Sequence, residues 1–317
     1  MVLPSAELFV DKDGVYRVTY EDLQGAGLDL FGVKTSEIAL TNSGAPVPLY
    51  IHTSSGKTFG PGGYIEFYGQ ALDTLYTNTN VYVLSVNADL AQSVDVDKKQ
   101  AGKNTAVATS YLETRTVDNN NSYSFSSPNG DPWYDVRLFA RTSLLTRDFN
   151  IELDNVASGN GGSINVSYYG LTDFPENPDH HVQTVFNGTQ ISDDIFDGTT
   201  NIEINEDLDS HGVQITEGTN TLTLNLPGDT GVAFDIVNFD SFSVTYPRAF
   251  VANNGKLEFS SAASAYEVTG LDTENVVVYQ IANDGTVTRR EGISTTQTPD
   301  GYMTLPHIIV PDYKLEF

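Results

Sequence analysis

The chemistry open to this chain rests on its histidines and carboxylates. It contains no cysteine, which excludes a cysteine nucleophile, a thiolate metal site and any disulfide. Two of its five histidines are adjacent, in Asp179-His-His-Val182. On a regular strand, neighbouring side chains point to opposite faces, so His180 and His181 do not easily share one metal ion. Packing or a loop hydrogen bond is the plainer role for both. Ser210-His211-Gly212 has the look of a catalytic-histidine motif, but it falls among strand-patterned segments, before Val213-Gln-Ile215. Fold position and partners decide such roles, and that position does not suit catalysis. His52 and His307 are isolated.

Calcium is the metal the carboxylates would suit. It takes six to eight oxygens, which side chains, carbonyls and water can supply. Jelly-roll carbohydrate-binding modules hold a structural calcium between an acid near the first strand and another in the last strand. Glu113 and Asp240 have similar places here, with Asp235 and Asp229 as further ligands. The competing reading is that all four are turn or surface acids, and Asp11 and Asp13 lack the rest of an EF-hand loop. For a sugar, which needs aromatic faces and polar groups, the candidates are Trp133, Tyr134, Tyr168 and Tyr169. Aromatics on strands also serve as half-buried sheet residues. A glycosidase would need two carboxylates facing each other across a cleft, and no sequence pattern shows such a pair.

The elements that must position these residues are strands. Ser163–Tyr169, Asp179–Gly188, Asn220–Leu226 and Phe234–Tyr246 alternate apolar and polar residues and are bounded by Gly, Asn, Asp or Pro. Such a block, without a helical pattern, predicts an all-β chain built around a jelly-roll-like antiparallel β-sandwich. The sandwich is expected over residues 105–248, with earlier strands at Ala106–Val117, Trp133–Ala140 and Phe149–Leu153. A smaller β domain with one short helix, Tyr20–Gly27, and a polar connector is expected over 1–104, and a small C-terminal β domain over 249–317. Asp13-Gly14 reads as a hairpin turn between Glu7–Val10 and Val15–Thr19, and Asn42-Ser-Gly44 and Asn283-Asp-Gly285 as further turns. Asp95–Gln100 reads as a solvated link.

With 16 basic against 42 acidic residues, the formal net charge is −26. That charge repels nucleic acid and anionic membrane surfaces, and it suits solubility in a salty or extracellular setting. No apolar run approaches membrane-spanning length. Met1-Val-Leu-Pro-Ser5 lacks the charged and apolar regions of a signal peptide, so the start reads as a mature or trimmed boundary.

Several segments resemble, in order, the amino-terminal region of gingipain-type cysteine peptidases, including the sortase-like peptidases of type IX secretion. They are Asp13-Gly-Val-Tyr-Arg-Val-Thr-Tyr-Glu-Asp-Leu23 with Ala26-Gly-Leu28, Phe59-Gly-Pro-Gly-Gly-Tyr-Ile-Glu-Phe-Tyr-Gly69 and Leu72–Tyr82. The likeness continues through Asp179-His-His-Val182, Phe186-Asn-Gly188, Phe196-Asp-Gly198, Gly218–Leu224, Pro227–Gly231 and Val244-Thr-Tyr-Pro-Arg248. In that family a similar block lies upstream of a caspase-like domain bearing a Cys-His pair, and this chain has neither the cysteine nor alternating strands and helices. The resemblance therefore implies a non-catalytic, propeptide-like or accessory region of a secreted or bacterial cell-surface peptidase. Its expected partner is a downstream peptidase domain or another protein. The alternative is a glycan-binding or adhesion module, and calcium is the only cofactor either reading expects.

Overall fold

A computed structural model describes residues 4–316, except 55, 75, 99–106, 128–130, 160, 262, 264, 300, 305–306 and 309–312. Nearly all of its regular structure is β. The chain divides into two compact units, residues 109–250 and residues 1–108 with 251–317. The 249–317 segment that the sequence sets apart thus shares its unit with the amino-terminal region.

The middle unit is a sandwich. Its strands are β1 (Ser110–Asp118), β2 (Ser122–Tyr123), β3 (Trp133–Tyr134), β4 (Val136–Ala140), β5 (Leu145–Leu153), β6 (Ser163–Gly170), β7 (His180–Phe186), β8 (Thr189–Phe196), β9 (Asn201–Asp207), β10 (Gly218–Leu226) and β11 (Asp235–Ala249). One sheet runs β4-β11-β6-β9, and β1 continues the β4 edge along the second half of β11. The other runs β5-β10-β7-β8. Inward residues of both sheets, among them Phe149, Leu222, Leu224, Val182, Val166, Phe239 and Phe242, form one core. The Phe149 and Phe239 rings meet across it at 4.0 Å. Strict alternation explains the register, since Leu222, Leu224 and Leu226 are buried while Thr223 and Asn225 between them are half-buried. β8 and β9 were not foreseen. Both are acid-rich edge strands, and their alternation is interrupted by charge.

The other unit has its own core, including Val10, Leu23, Leu40, Phe59, Phe67 and Leu84. Its helix, Tyr20–Gly25, starts at a capping box in which Thr19 and Asp22 exchange hydrogen bonds. Ser43 and Gly44 both take positive φ and close the two-residue hairpin between Ile38–Asn42 and Ala45–Val47. The Asn283-Asp-Gly285 turn also forms, joining Val278–Ala282 to Val287–Arg290. The Asp13-Gly14 hairpin does not. Ser5–Val10 pairs with Asn80–Val86, and Gly14–Thr19 pairs with Tyr64–Gly69 in a separate sheet. Only Gly14 of that pair has positive φ, at 154°, so the chain bends from sheet to sheet instead of reversing. Asp95–Asp97 is a strand, parallel to Val287–Arg290, rather than part of a solvated link. Arg290 pairs with Asp97 at 3.2 Å.

A carboxylate is buried in this unit. Glu66 accepts from Arg17 Nε at 2.8 Å, Tyr279 Oη at 2.8 Å and Arg289 Nε at 3.0 Å. Arg289 is buried as well, and its guanidinium lies over the Tyr50 ring.

Candidate functional site

The polar residues buried most deeply in the sandwich surround the start of β7. His180 is fully buried against Asp179 and Asp235, which are equally enclosed. Its Nδ1 lies 2.5 Å from Asp235 Oδ1 and its Nε2 3.0 Å from the Thr172 carbonyl. Both partners are acceptors, so satisfying both nitrogens takes two N–H groups, which only the imidazolium has. Burial pulls the His180 pKa down, but the hydrogen bond and charge of Asp235, with help from Thr172 and Asp179, outweigh it and the net shift is upward. The ring stacks on Phe196 at 4.7 Å. A Cβ on Gly170 would collide with it, so glycine is required there.

His181 repeats the arrangement on the opposite face. Its Nδ1 is 2.8 Å from Asp229 and its Nε2 2.7 Å from Asp193. Burial lowers its pKa, the two aspartates raise it, and the net shift is again upward. The His181 hydrogen bond holds the Asp193 carboxyl below the usual carboxylate range. Asp235 Oδ2 also accepts from the His181 N–H at 3.2 Å, while Asp179 accepts from the Phe174 and Gly198 N–H groups. The cluster thereby ties β7 to β8, to the β10–β11 loop and to the start of β11. Each imidazole nitrogen already faces an acceptor, so neither ring offers a lone pair to a metal or a substrate proton. Elsewhere, Ser210 Oγ donates to the Asp207 carbonyl and His211 Nε2 meets Glu206 at 2.9 Å, so the Ser-His pair of that triplet is not joined.

The acids named for calcium lie apart. Glu113, on β1, sits opposite Tyr246 and beside Arg115, with 3.3 Å between Oε1 and Nε. Tyr246 and Asp240 are six positions apart on β11, which is about 20 Å of strand. Asp235 stands five positions from Asp240 in the other direction and is engaged with the histidines. Among the described residues, no three of His, Asp or Glu converge as a metal site. Their spacing along β11, which carries a β-bulge at Asp240 against β6, keeps Glu113, Asp235 and Asp240 apart, and this corrects the grouping expected from sequence. Asp240 instead neighbours Asp118 and Asp131. Burial first, then these two charges, push its pKa up to about 6 against the pull of Ser167 and Ser241.

The aromatics named for a sugar also divide. Tyr134, Tyr168 and Tyr169 are buried, and only Trp133 is exposed. Tyr168 faces the core, whereas Tyr169 faces outward and is covered by the β2–β3 hairpin. Tyr134 packs on Tyr169 at 4.7 Å, Ser124 shares a hydrogen bond with the Tyr169 hydroxyl, and Asn238 Nδ2 donates to that hydroxyl at 2.8 Å. Adjacent strand residues alternate in direction, so burying Tyr134 turns Trp133 outward, directly opposite Tyr123. Phe125, two residues beyond Tyr123, is exposed too. Neither Tyr123, on β2, nor Phe125, in the turn that follows it, is singled out by the sequence.

No family model matches the chain, and no curated protein does. A crystal structure of dimeric latent PorU from Porphyromonas gingivalis matches with a TM-score of 0.65 and 14% identity, covering 99% of this chain and 32% of that one. The chain therefore spans about a third of that neighbour's length and shares its fold along essentially its whole extent.

Proposed function

We propose that this chain is a non-catalytic amino-terminal region, propeptide-like or accessory, of a secreted or cell-surface gingipain-like cysteine peptidase, and that it acts by binding protein. The observation that carries this reading is the fold likeness to PorU over 99% of the chain, from both units, at about a third of the neighbour's length. The ordered segment matches to gingipain-type peptidases point the same way. The absence of cysteine leaves no thiol nucleophile in the chain, and the buried histidines have both nitrogens engaged. Among the described residues no helix is long and apolar enough to cross a membrane. The solved neighbour is a latent form, and a region of this kind suits holding a peptidase domain in check.

The test has two parts. The gene that encodes this segment is expected to encode a Cys-His peptidase domain in the same polypeptide, and that domain, produced separately, should associate with this chain in sedimentation. A gene encoding only further binding modules would overturn the reading, as would turnover of a peptide or glycan by this chain alone. A glycan-binding role has less support, because three of its four candidate aromatics are buried. Signal on a glycan array at several calcium concentrations, without association with the peptidase domain, would favour it instead.

A further inference from the structure

Among the described residues of the sandwich, the β2–β3 hairpin carries exposed aromatics. Tyr123 and Trp133 face each other across β2 and β3 with rings 5.3 Å apart at 72°, and are 59% and 39% exposed. Phe125 is 92% exposed. Large aromatics gathered at the surface on a fixed support are the usual make-up of a binding hot spot. Here the support is fixed, because Tyr134 and Ser124 of the same hairpin are buried against Tyr169.

The surroundings say what would bind. Asp131 accepts from the Trp133 N–H at 2.9 Å, and Asp135 accepts from Asn121 Nδ2 at 3.0 Å and Asn119 Nδ2 at 3.2 Å. Asp118 and Asp240 complete the group; burial, then the charges of Asp131 and Asp135, raise the pKa of Asp118, and burial, with the charges of Asp118 and Asp131, raises that of Asp240. Among the described residues, none of these four carboxylates has a Lys, Arg or His partner within ion-pair distance. An uncharged sugar would leave all four uncompensated. A single metal ion does not fit either, since the acids do not converge. Cations spaced along an extended chain meet both halves of the surface, because guanidinium and ammonium groups pair with carboxylates and their stems and faces pack on aromatic rings.

The geometry points to the β2–β3 hairpin as a docking platform for an extended lysine- or arginine-bearing segment of a partner protein. Tyr123, Phe125 and Trp133 form its aromatic face, and Asp118, Asp131, Asp135 and Asp240 its charge complement. This deepens the protein-binding reading above and rests on it.

Trp133 is the only tryptophan, so intrinsic fluorescence reports from the platform itself. The whole chain is titrated with a Gly-Ser peptide carrying spaced arginines, with the same peptide carrying glutamates, and with neutral oligosaccharides. Saturable fluorescence change is expected with the arginine peptide alone, weakening as salt is raised. Phe125→Ala and the Asp131→Asn/Asp135→Asn pair should each weaken it about tenfold, with circular dichroism unchanged. Equal binding of the glutamate peptide, or response to the oligosaccharides only, overturns the proposal. A second titration uses the separately produced peptidase domain. If it binds the wild-type chain and Phe125→Ala alike, the platform is refuted and the protein-binding reading stands. If the arginine peptide binds and the domain does not, the platform stands and the peptidase domain is ruled out as its partner.

Discussion

Each unit buries a charged cluster, and the two clusters are built on different cations. In the terminal unit, Glu66 is held between Arg17 and the buried Arg289, with Tyr279 as a further donor. A guanidinium stays charged at any ordinary pH, so this cluster keeps its cations wherever the protein is folded. In the sandwich, Asp235 and Asp179 enclose His180 while Asp193 and Asp229 flank His181. An imidazolium can shed its proton near neutral pH, so the same kind of burial makes the sandwich sensitive to pH. The difference teaches that the side chain supplying the positive charge, rather than the depth of burial, decides whether a buried ion cluster behaves as a fixed tie or as a titrating one.

The largest effect that tests this is expected from Glu66→Ala. It leaves the buried Arg289, which cannot neutralise itself, with Glu291 as its remaining carboxylate, and it strips Tyr279 Oη of its acceptor, a loss of about 3–5 kcal/mol confined to the terminal unit. Hydrogen exchange followed by peptide should accelerate in 14–19 and 278–290 and hold steady in 163–170. Acceleration of equal size in both units would erase the distinction between them.

Asp235→Ala should cost less, about 2–3 kcal/mol, because His180 can relieve its isolation by losing the proton. Urea unfolding read by Trp133 fluorescence measures it. A loss larger than that of Glu66→Ala would show that the imidazole keeps its charge in spite of burial.

The wild-type pH profile is the next test. The raised pKa values of His180 and His181 mean that their stabilisation is complete below the ordinary histidine value and is lost as pH rises through the raised ones. The urea midpoint of the sandwich should therefore fall as pH is taken from about 6 to about 9, and the double variant His180→Gln/His181→Gln should flatten that slope. A level wild-type profile over the same range would contradict an imidazolium in either position.

The smallest effect concerns Asp240, whose carboxyl is pushed up to about 6, chiefly by burial. Its charge opposes folding above that pH, so Asp240→Asn should stabilise the sandwich by less than about 1 kcal/mol at pH 8 and leave it unchanged at pH 4. Destabilisation at pH 8 would mean that the charged form has a partner.

Much of the architecture was legible in the chain itself. Alternation of period two located β6, β7, β10 and β11, because one buried face imposes that pattern on every strand that carries it. Asn42-Ser-Gly44 announced its hairpin because glycine takes the positive φ of Gly44 at no steric cost, and the glycines after Tyr20 marked where the short helix stops. The missing cysteine ruled out thiol chemistry without any structure. What lay beyond the sequence was everything that joins distant segments. Glu7–Val10 and Val15–Thr19 are neighbours along the chain, yet each pairs with a strand more than forty residues away. Trp133 and Tyr134 look equivalent as letters, and only the presence of Tyr169 beneath the hairpin sends one inward and the other out. Asp235 and Asp240 share one strand, but the fold gave the first to a histidine and the second to a group of uncompensated acids. Local pattern encodes which face of a strand is buried, whereas the partner of each buried charge is set by loop closure across long stretches of chain, and no local pattern records it.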